Sequence, residues 1–189
     1  MLEQGDGIRV FGPTWDAELS AGTGAVVERA LEFARGAHGE QCRPAGEPYI
    51  EHLREAVAVL VDGLGVTDPD LLVAAALHDV VEDTDVVLGE VEEEFGSSVS
   101  EMVAWVTKRP DEEKPDYLAR LASAPDPVIW LKLADRLSNV QRLDTHPRPE
   151  KRARYYDETV TWILPLASRH PWFAAWFSEW QRQFSWLSE

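Results

Sequence analysis

The sequence predicts an all-α domain, and three observations predict it. From residue 22 onward apolar residues recur at spacings of three and four, the period of one helix face. No stretch alternates apolar and polar residues as a half-buried strand would. Helix punctuation stands where the stripes begin, most clearly at Asp68-Pro69, an N-cap followed by proline at the first helical position.

The elements follow in order. Residues 1–20 are Gly-rich and weakly patterned, and are expected to form a partly mobile arm ahead of a single domain over 21–189. Val26, Val27, Ala30, Leu31, Ala34 and Ala37 make the first stripe. The Gly- and Pro-bearing segment 39–48 is a loop. Ile50, Leu53, Val57, Leu60, Val61 and Leu64 make the second stripe. The helix opened by Asp68 is apolar through Ala76, so it is expected to be central and buried. Asp85 is expected to cap a short helix ending at Gly96, and Ser97 or Ser98 another ending near Thr107. A charged loop over 109–117 leads to helices expected over 116–123, 127–144, 149–169 with a kink at Pro165, and 171–187. The last carries Phe173, Trp176, Phe177, Trp180, Phe184 and Leu187 on one side. Core packing is the preferred reading of that face and a dimer surface its alternative; no other feature speaks to oligomeric state.

A chain of 189 residues can bury one core without staples. Its 18 basic and 34 acidic residues give a net charge of −16. That balance argues against binding nucleic acid, which rests on Lys and Arg neutralising phosphates, and against docking on an anionic membrane. A small anionic ligand needs only a few local cations. The single cysteine, Cys42, cannot form an intrachain disulfide and is read as a spectator thiol. The N-terminus has no basic and apolar leader, and the best apolar run, Leu71 to Val81, is interrupted by His78 and Asp79, far short of the roughly 20 residues of a membrane span. A cytoplasmic protein is expected.

The chemistry concentrates in the segment AALHDVVEDT, 75–84. On a continuous helix His78, Asp79, Glu82 and Asp83 project toward one side. An apolar helix that ends in these groups must pair them or hold a cation, because an unpaired buried charge is expensive. His52 lies on the preceding apolar stripe, where alone it reads as a core histidine. In 128–143, Lys132, Asp135, Asn139 and Arg142 form one polar stripe, with Asp135 set among leucines. A salt bridge from Asp135 to Arg136 or Arg142 is the plain alternative to a ligand role. Together His52, His78, Asp79 and Asp135 supply two imidazoles and two carboxylates for one divalent metal, a mixed N/O set open to Mn²⁺, Fe²⁺, Zn²⁺ or Mg²⁺. Glu82 and Asp83 then stand where an attacking water is held or deprotonated.

The pattern H…HD…D resembles the HD-domain metal-dependent phosphohydrolases, and more narrowly the alarmone hydrolase domain of the RelA/SpoT family. The matching blocks are AHGEQCRPAGEPYIEH (37–52), LHDVVEDT (77–84), EEFGSSVSEMVAWVTK (93–108), LKLADRLSNV (131–140) and RARYYDETVTWILPLA (152–167). The resemblance implies a multi-helix HD fold that binds one Mn²⁺ through His52, His78, Asp79 and Asp135. It implies removal of pyrophosphate from the 3′ position of guanosine tetra- or pentaphosphate. Glu82 and Asp83 then serve the water, Arg43 contacts the nucleotide and Asn139 lines the pocket. The chain ends about twenty residues after the last block, and it reads as a standalone small alarmone hydrolase. Lys132, Arg142 and Arg136 are the nearby cations that could offset the substrate's charge, with Lys108 and Arg109 less supported; Arg136 could equally be structural.

The sequence departs from the family at Pro44 and Ala45, where a second basic residue and a serine are usual. It departs again at Leu53 for proline, Ser138 for histidine and Arg142 for threonine. None of these is a ligand or one of the acidic pair, so the hydrolytic machinery is expected to be intact and base specificity to be the part affected. His38 is read as structural or pocket-lining, and His146 and His170 as helix-end residues. The acidic run at Glu90, Glu92, Glu93 and Glu94 is read as a solvated face. Two rival functions use the same residues: an HD-type phosphatase of NADPH, a 5′-nucleotide or a dNTP, and a non-catalytic nucleotide-binding module.

Overall fold

The computed structural model describes residues 7–188. Among the described residues eleven α-helices follow one another: α1 Ala21–His38, α2 Ile50–Ala58, α3 Pro69–Leu77, α4 Val80–Asp83, α5 Leu88–Phe95, α6 Ser97–Val106, α7 Lys114–Ala122, α8 Asp126–Val140, α9 Pro149–Glu158, α10 Leu164–Ala167 and α11 Pro171–Gln183. Among the described residues there is no strand, only an isolated antiparallel bridge between Cys42 and Pro48.

The most apolar helix is the central one. Every residue of α3 from Leu71 to Leu77 is buried, and α1, α2, α6 and α8 pack around it. Asp68 caps it as expected, its carboxylate accepting the Asp70 N–H at 3.1 Å with Pro69 next in line. The stripes of α1 and α2 turn inward on this core: Val27, Ala30, Leu31 and Ala34 from one, Leu53, Ala56 and Val57 from the other.

Several expected boundaries shift: α8 ends at Val140 and α11 at Gln183, short of the expected 144 and 187, and three further cases have a clear local cause. Asp85 does not cap α5; the helix starts at Leu88, and the Glu90 carboxylate reaches back to the Val87 N–H at 3.0 Å. The α5–α6 corner is made by Gly96, whose φ of 90° suits a residue without a Cβ, so Ser97 already lies inside α6 and gives no side-chain cap. The single helix expected over 149–169 is three pieces. Between α9 and α10 the ladder widens into a π-helical turn, Thr159–Ile163, just ahead of Pro165. Proline carries no N–H for the regular ladder, and the wider turn is how this chain accommodates it. A second π turn, Val59–Gly63, extends α2. There Gly63 lies under Trp172, whose ring a Cβ would meet at 2.9 Å.

Of the arm expected over 1–20, residues 1–6 lie outside the described residues. Residues 7–20 have no regular structure, yet they run as a strap over α2, α8 and α11. Phe11 is buried and exchanges two hydrogen bonds with the Gln141 side chain, at 2.7 and 3.0 Å. The Asp62 carboxylate accepts the N–H groups of Asp16 and Ala17. Trp176 Nε1 donates to the Arg9 carbonyl at 2.8 Å.

The aromatic face of α11 is core. Phe173, Trp176, Phe177 and Trp180 are buried, as is Phe184 just beyond, and Trp180 Nε1 donates to the Val140 carbonyl at 2.9 Å. Among the described residues no helix is long and apolar enough to cross a membrane.

Candidate metal centre

The candidate ligands come from α2, from α8 and from the break after α3. The apolar run of α3 ends at Leu77, and His78 and Asp79 occupy a turn before α4. On the continuous helix expected from sequence, neighbours such as these point about 100° apart and do not face each other. The break lets both reach one spot, with His78 Nε2 3.1 Å from Asp79 Oδ2. From α2, His52 Nε2 approaches to 3.3 Å of the same oxygen and 3.2 Å of His78 Nε2. From α8, Asp135 Oδ1 lies 3.4 Å from His52 Nε2 and 3.6 Å from His78 Nε2. His52, His78 and Asp79 are thus grouped closely enough to share one ion, and Asp135 reaches the same two nitrogens.

The donor chemistry fits a cation. His78 Nδ1 lies 2.8 Å from the Ala75 carbonyl, which only accepts, so that nitrogen carries the hydrogen and Nε2 presents a lone pair. Atoms bound about 2.1 Å from one ion stand roughly 3.0–3.4 Å apart, and the cluster's separations lie close to that range. Without an ion the two carboxylates favour a proton on each imidazole, a proton that a bound cation would displace from Nε2. Burial alone would lower both imidazoles, but Asp135 and Asp79 hold His52 above its ordinary value, and Asp79 and Asp135 hold His78 well above. Burial alone would raise both carboxyls. His78 and His52 instead hold Asp79 well below the carboxylate range, and Lys132 with the two imidazoles does so for Asp135. Two carboxylates kept ionised in a buried place are the charge a divalent ion would neutralise.

Two supporting residues escaped the sequence reading. Tyr49 donates its hydroxyl to Asp79 Oδ2 at 2.6 Å and its ring lies tilted against His38, centroids 4.7 Å apart; burial and Asp79 both push its phenol up, so it stays a donor. Glu55 is buried in α2 and accepts from Arg43 at 2.8 Å, Arg142 at 2.7 Å, Ser138 at 2.6 Å and Gln141 at 3.1 Å. The signal for both was their three-residue spacing from His52, which puts them on its face of the helix.

The remaining singled-out residues fall into place around the centre. Asp135 pairs with neither Arg136 nor Arg142 but with Lys132, at 2.7 Å, so Lys132 is committed to a candidate ligand. Arg136 faces Glu158 at 3.9 Å and the Tyr155 ring. Asn139 donates to Asp135 Oδ1 at 2.7 Å. In α4, just past Asp79, the Glu82 carboxylate accepts the Lys108 N–H at 3.0 Å, and Asp83 accepts from the Gln41 amide at 3.3 Å. Cys42 is exposed, His38 is buried beside Tyr49, and His170 caps α11 through Nδ1.

A cavity of about 270 Å³ is lined by Arg43, Pro44, Ala45, Glu51, Glu55, Ser138, Asn139 and Arg142 among others and by none of the four candidate ligands; Ser138 and Asn139 link it to His52 and Asp135. Four of the positions that depart from the resembling family, 44, 45, 138 and 142, therefore line one cavity. The loop that carries Arg43 is closed by the bridge at Cys42 and Pro48 and by Arg43 N–H to the Glu47 carbonyl at 2.8 Å.

A family model described as HD domain matches residues 30–173. The chain is 45% identical over 150 residues to a guanosine-3′,5′-bis(diphosphate) 3′-pyrophosphohydrolase of Aquifex aeolicus (strain VF5), covering 76% of this chain and 21% of that protein. It is 42% identical over 153 residues to a probable GTP pyrophosphokinase of Mycobacterium leprae (strain TN), covering 77% and 19%. The chain thus spans about a fifth of the length of these curated relatives. Among solved structures it is similar to a metazoan ortholog of SpoT described as hydrolysing ppGpp. The TM-score is 0.78 at 28% identity, over 89% of this chain and 98% of that one.

Proposed function

Since this chain belongs to the HD-domain family, we propose that it hydrolyses the 3′-diphosphate of guanosine tetra- or pentaphosphate, leaving GDP or GTP and releasing pyrophosphate. One observation carries the reading: His52, His78, Asp79 and Asp135 converge beside a cavity walled by Arg43 and Asn139. The hydrolase named from Aquifex and the ppGpp-hydrolysing metazoan structure support the choice of substrate.

The four residues would hold one divalent ion, and Mn²⁺ suits their mixed nitrogen and oxygen donors. Such an ion supplies Lewis-acid charge at the phosphoryl oxygens and an acidified water. The chain's own residues do the rest. Glu82 and Asp83, each anchored by one hydrogen bond, take the proton that the attacking water loses as its oxygen bonds to phosphorus. The bond between that phosphorus and the ribose 3′ oxygen breaks, and the carboxyl group hands the proton it took to the departing 3′ oxygen. Arg43 and Arg142 line the cavity and share the Glu55 carboxylate, with Glu47 and Glu51 in the same lining. These two guanidiniums are the groups that would meet the phosphates of an anionic nucleotide. A cytoplasmic location accords with such a substrate.

The test is a panel of nucleotides incubated with and without Mn²⁺, with products resolved. Release of pyrophosphate from guanosine 3′-diphosphate 5′-diphosphate, and none from GDP or GTP, is expected. Orthophosphate from NADPH or simple 5′-nucleotides, with the 3′-diphosphate left intact, would replace this reading with that of a general HD phosphatase. No turnover of any member would leave a binding module.

A further inference from the structure

Ser138 stands where the resembling family carries histidine, and its hydroxyl sits between a candidate ligand and a buried carboxylate. Ser138 Oγ is 2.8 Å from His52 Nδ1 and 2.6 Å from Glu55 Oε2. All three side chains are at least nine-tenths buried. Glu55 bears two guanidiniums, from Arg43 and Arg142, so it is ionised and can only accept. A serine hydroxyl has one hydrogen. Given to Glu55, it leaves Oγ facing His52 with lone pairs alone. His52 Nδ1 must then carry the hydrogen of that contact, and in the neutral ring that would bind a metal Nε2 turns its lone pair toward Asp79, His78 and Asp135.

We propose that Glu55 and Ser138 act as a two-residue relay that fixes the orientation and tautomer of the His52 ring, making both positioning residues for the metal. The relay does for His52 what the Ala75 carbonyl does for His78, by a side-chain route. It also joins the metal centre to the cavity, because Arg43 donates to the Ser138 carbonyl at 3.0 Å as well as to Glu55. The inference rests on the metal reading of His52 and is independent of which nucleotide is cleaved.

The experiment measures Mn²⁺ affinity of the full chain with no nucleotide present, for wild type, Ser138→Ala and Glu55→Gln, alongside urea unfolding in EDTA. Ser138→Ala removes the acceptor for Nδ1–H. Glu55→Gln removes the charge that sets the hydroxyl's direction. Lost outer partners of metal-binding histidines weaken affinity about 10–100-fold, and a loss in that range is expected in both variants, beyond any change in EDTA stability. Wild-type affinity in either variant overturns the relay, so Glu55→Gln keeps the test decisive if the alanine variant does not fold. A wild-type chain that binds no Mn²⁺ overturns the metal reading itself, which separates the two failures.

Discussion

Lys132 separates a structural from a substrate-binding cation, and Lys132→Met tests the difference. Its ammonium lies 2.7 Å from Asp135 Oδ2, with the two side chains 18% and 9% exposed. Methionine keeps the length of the stem and removes the charge. Breaking a buried pair by deleting one partner costs about 3–5 kcal/mol. Asp135 retains the Asn139 amide at 2.7 Å and two imidazoles within 3.6 Å, so the lower end, about 3 kcal/mol, is expected here. A divalent ion at Asp135 would restore the missing counter-charge, so saturating Mn²⁺ should recover at least half of that loss. The assay is urea unfolding at pH 7 of both proteins, in EDTA and in excess Mn²⁺. A difference in EDTA below about 0.5 kcal/mol, the range of exposed pairs, would refute the reasoning. Joined to a raised KM, it would return Lys132 to the substrate.

Two other outcomes follow from the same geometry. Glu82→Gln and Asp83→Asn should keep fold and Mn²⁺ binding while turnover falls roughly 10²–10⁴-fold, as for other positioned acid–base groups; unchanged turnover in both would make the pair a surface feature. Trp180→Ala should destabilise by about 3–5 kcal/mol for the lost ring. It should cost about 1–3 kcal/mol more for the Val140 carbonyl it leaves unpaired, a part that Trp180→Phe isolates in thermal unfolding. A concentration-dependent mass abolished by Trp180→Ala without loss of fold would instead make this face an interface.

The helices were legible because burial leaves a period, and α3 was the easiest, being apolar on all sides and opened by Asp68-Pro69. The four candidate ligands were legible because charged groups within apolar runs demand a partner. Partner choice was not. Lys132 and Arg142 share a stripe with Asp135, and spacing alone could not tell that one turns to Asp135 while the other turns to Glu55. Glu55 itself was hidden because a glutamate next to Arg54 reads as solvated, although its spacing from His52 places it inward. The break at His78 and the π turn before Pro165 also left no periodic trace. One or two residues of altered ladder leave the stripes on either side nearly in phase.

The strap of residues 7–20 has a consequence for how the molecule is made. It is made well before its anchors: Gln141 for Phe11, Trp176 for Arg9 and Gln183 for Ile8, up to 175 residues away. Contacts so distant in sequence close large loops and form late. Pro13 lies in the cavity wall, and the Phe11 carbonyl accepts from Arg142 at 2.8 Å, so the pocket is finished only when this segment has docked. A nascent chain halted before α11 already holds His52, His78, Asp79, Asp135 and Arg43, but lacks the Trp176 and Gln183 anchors of the segment that completes the wall beside them.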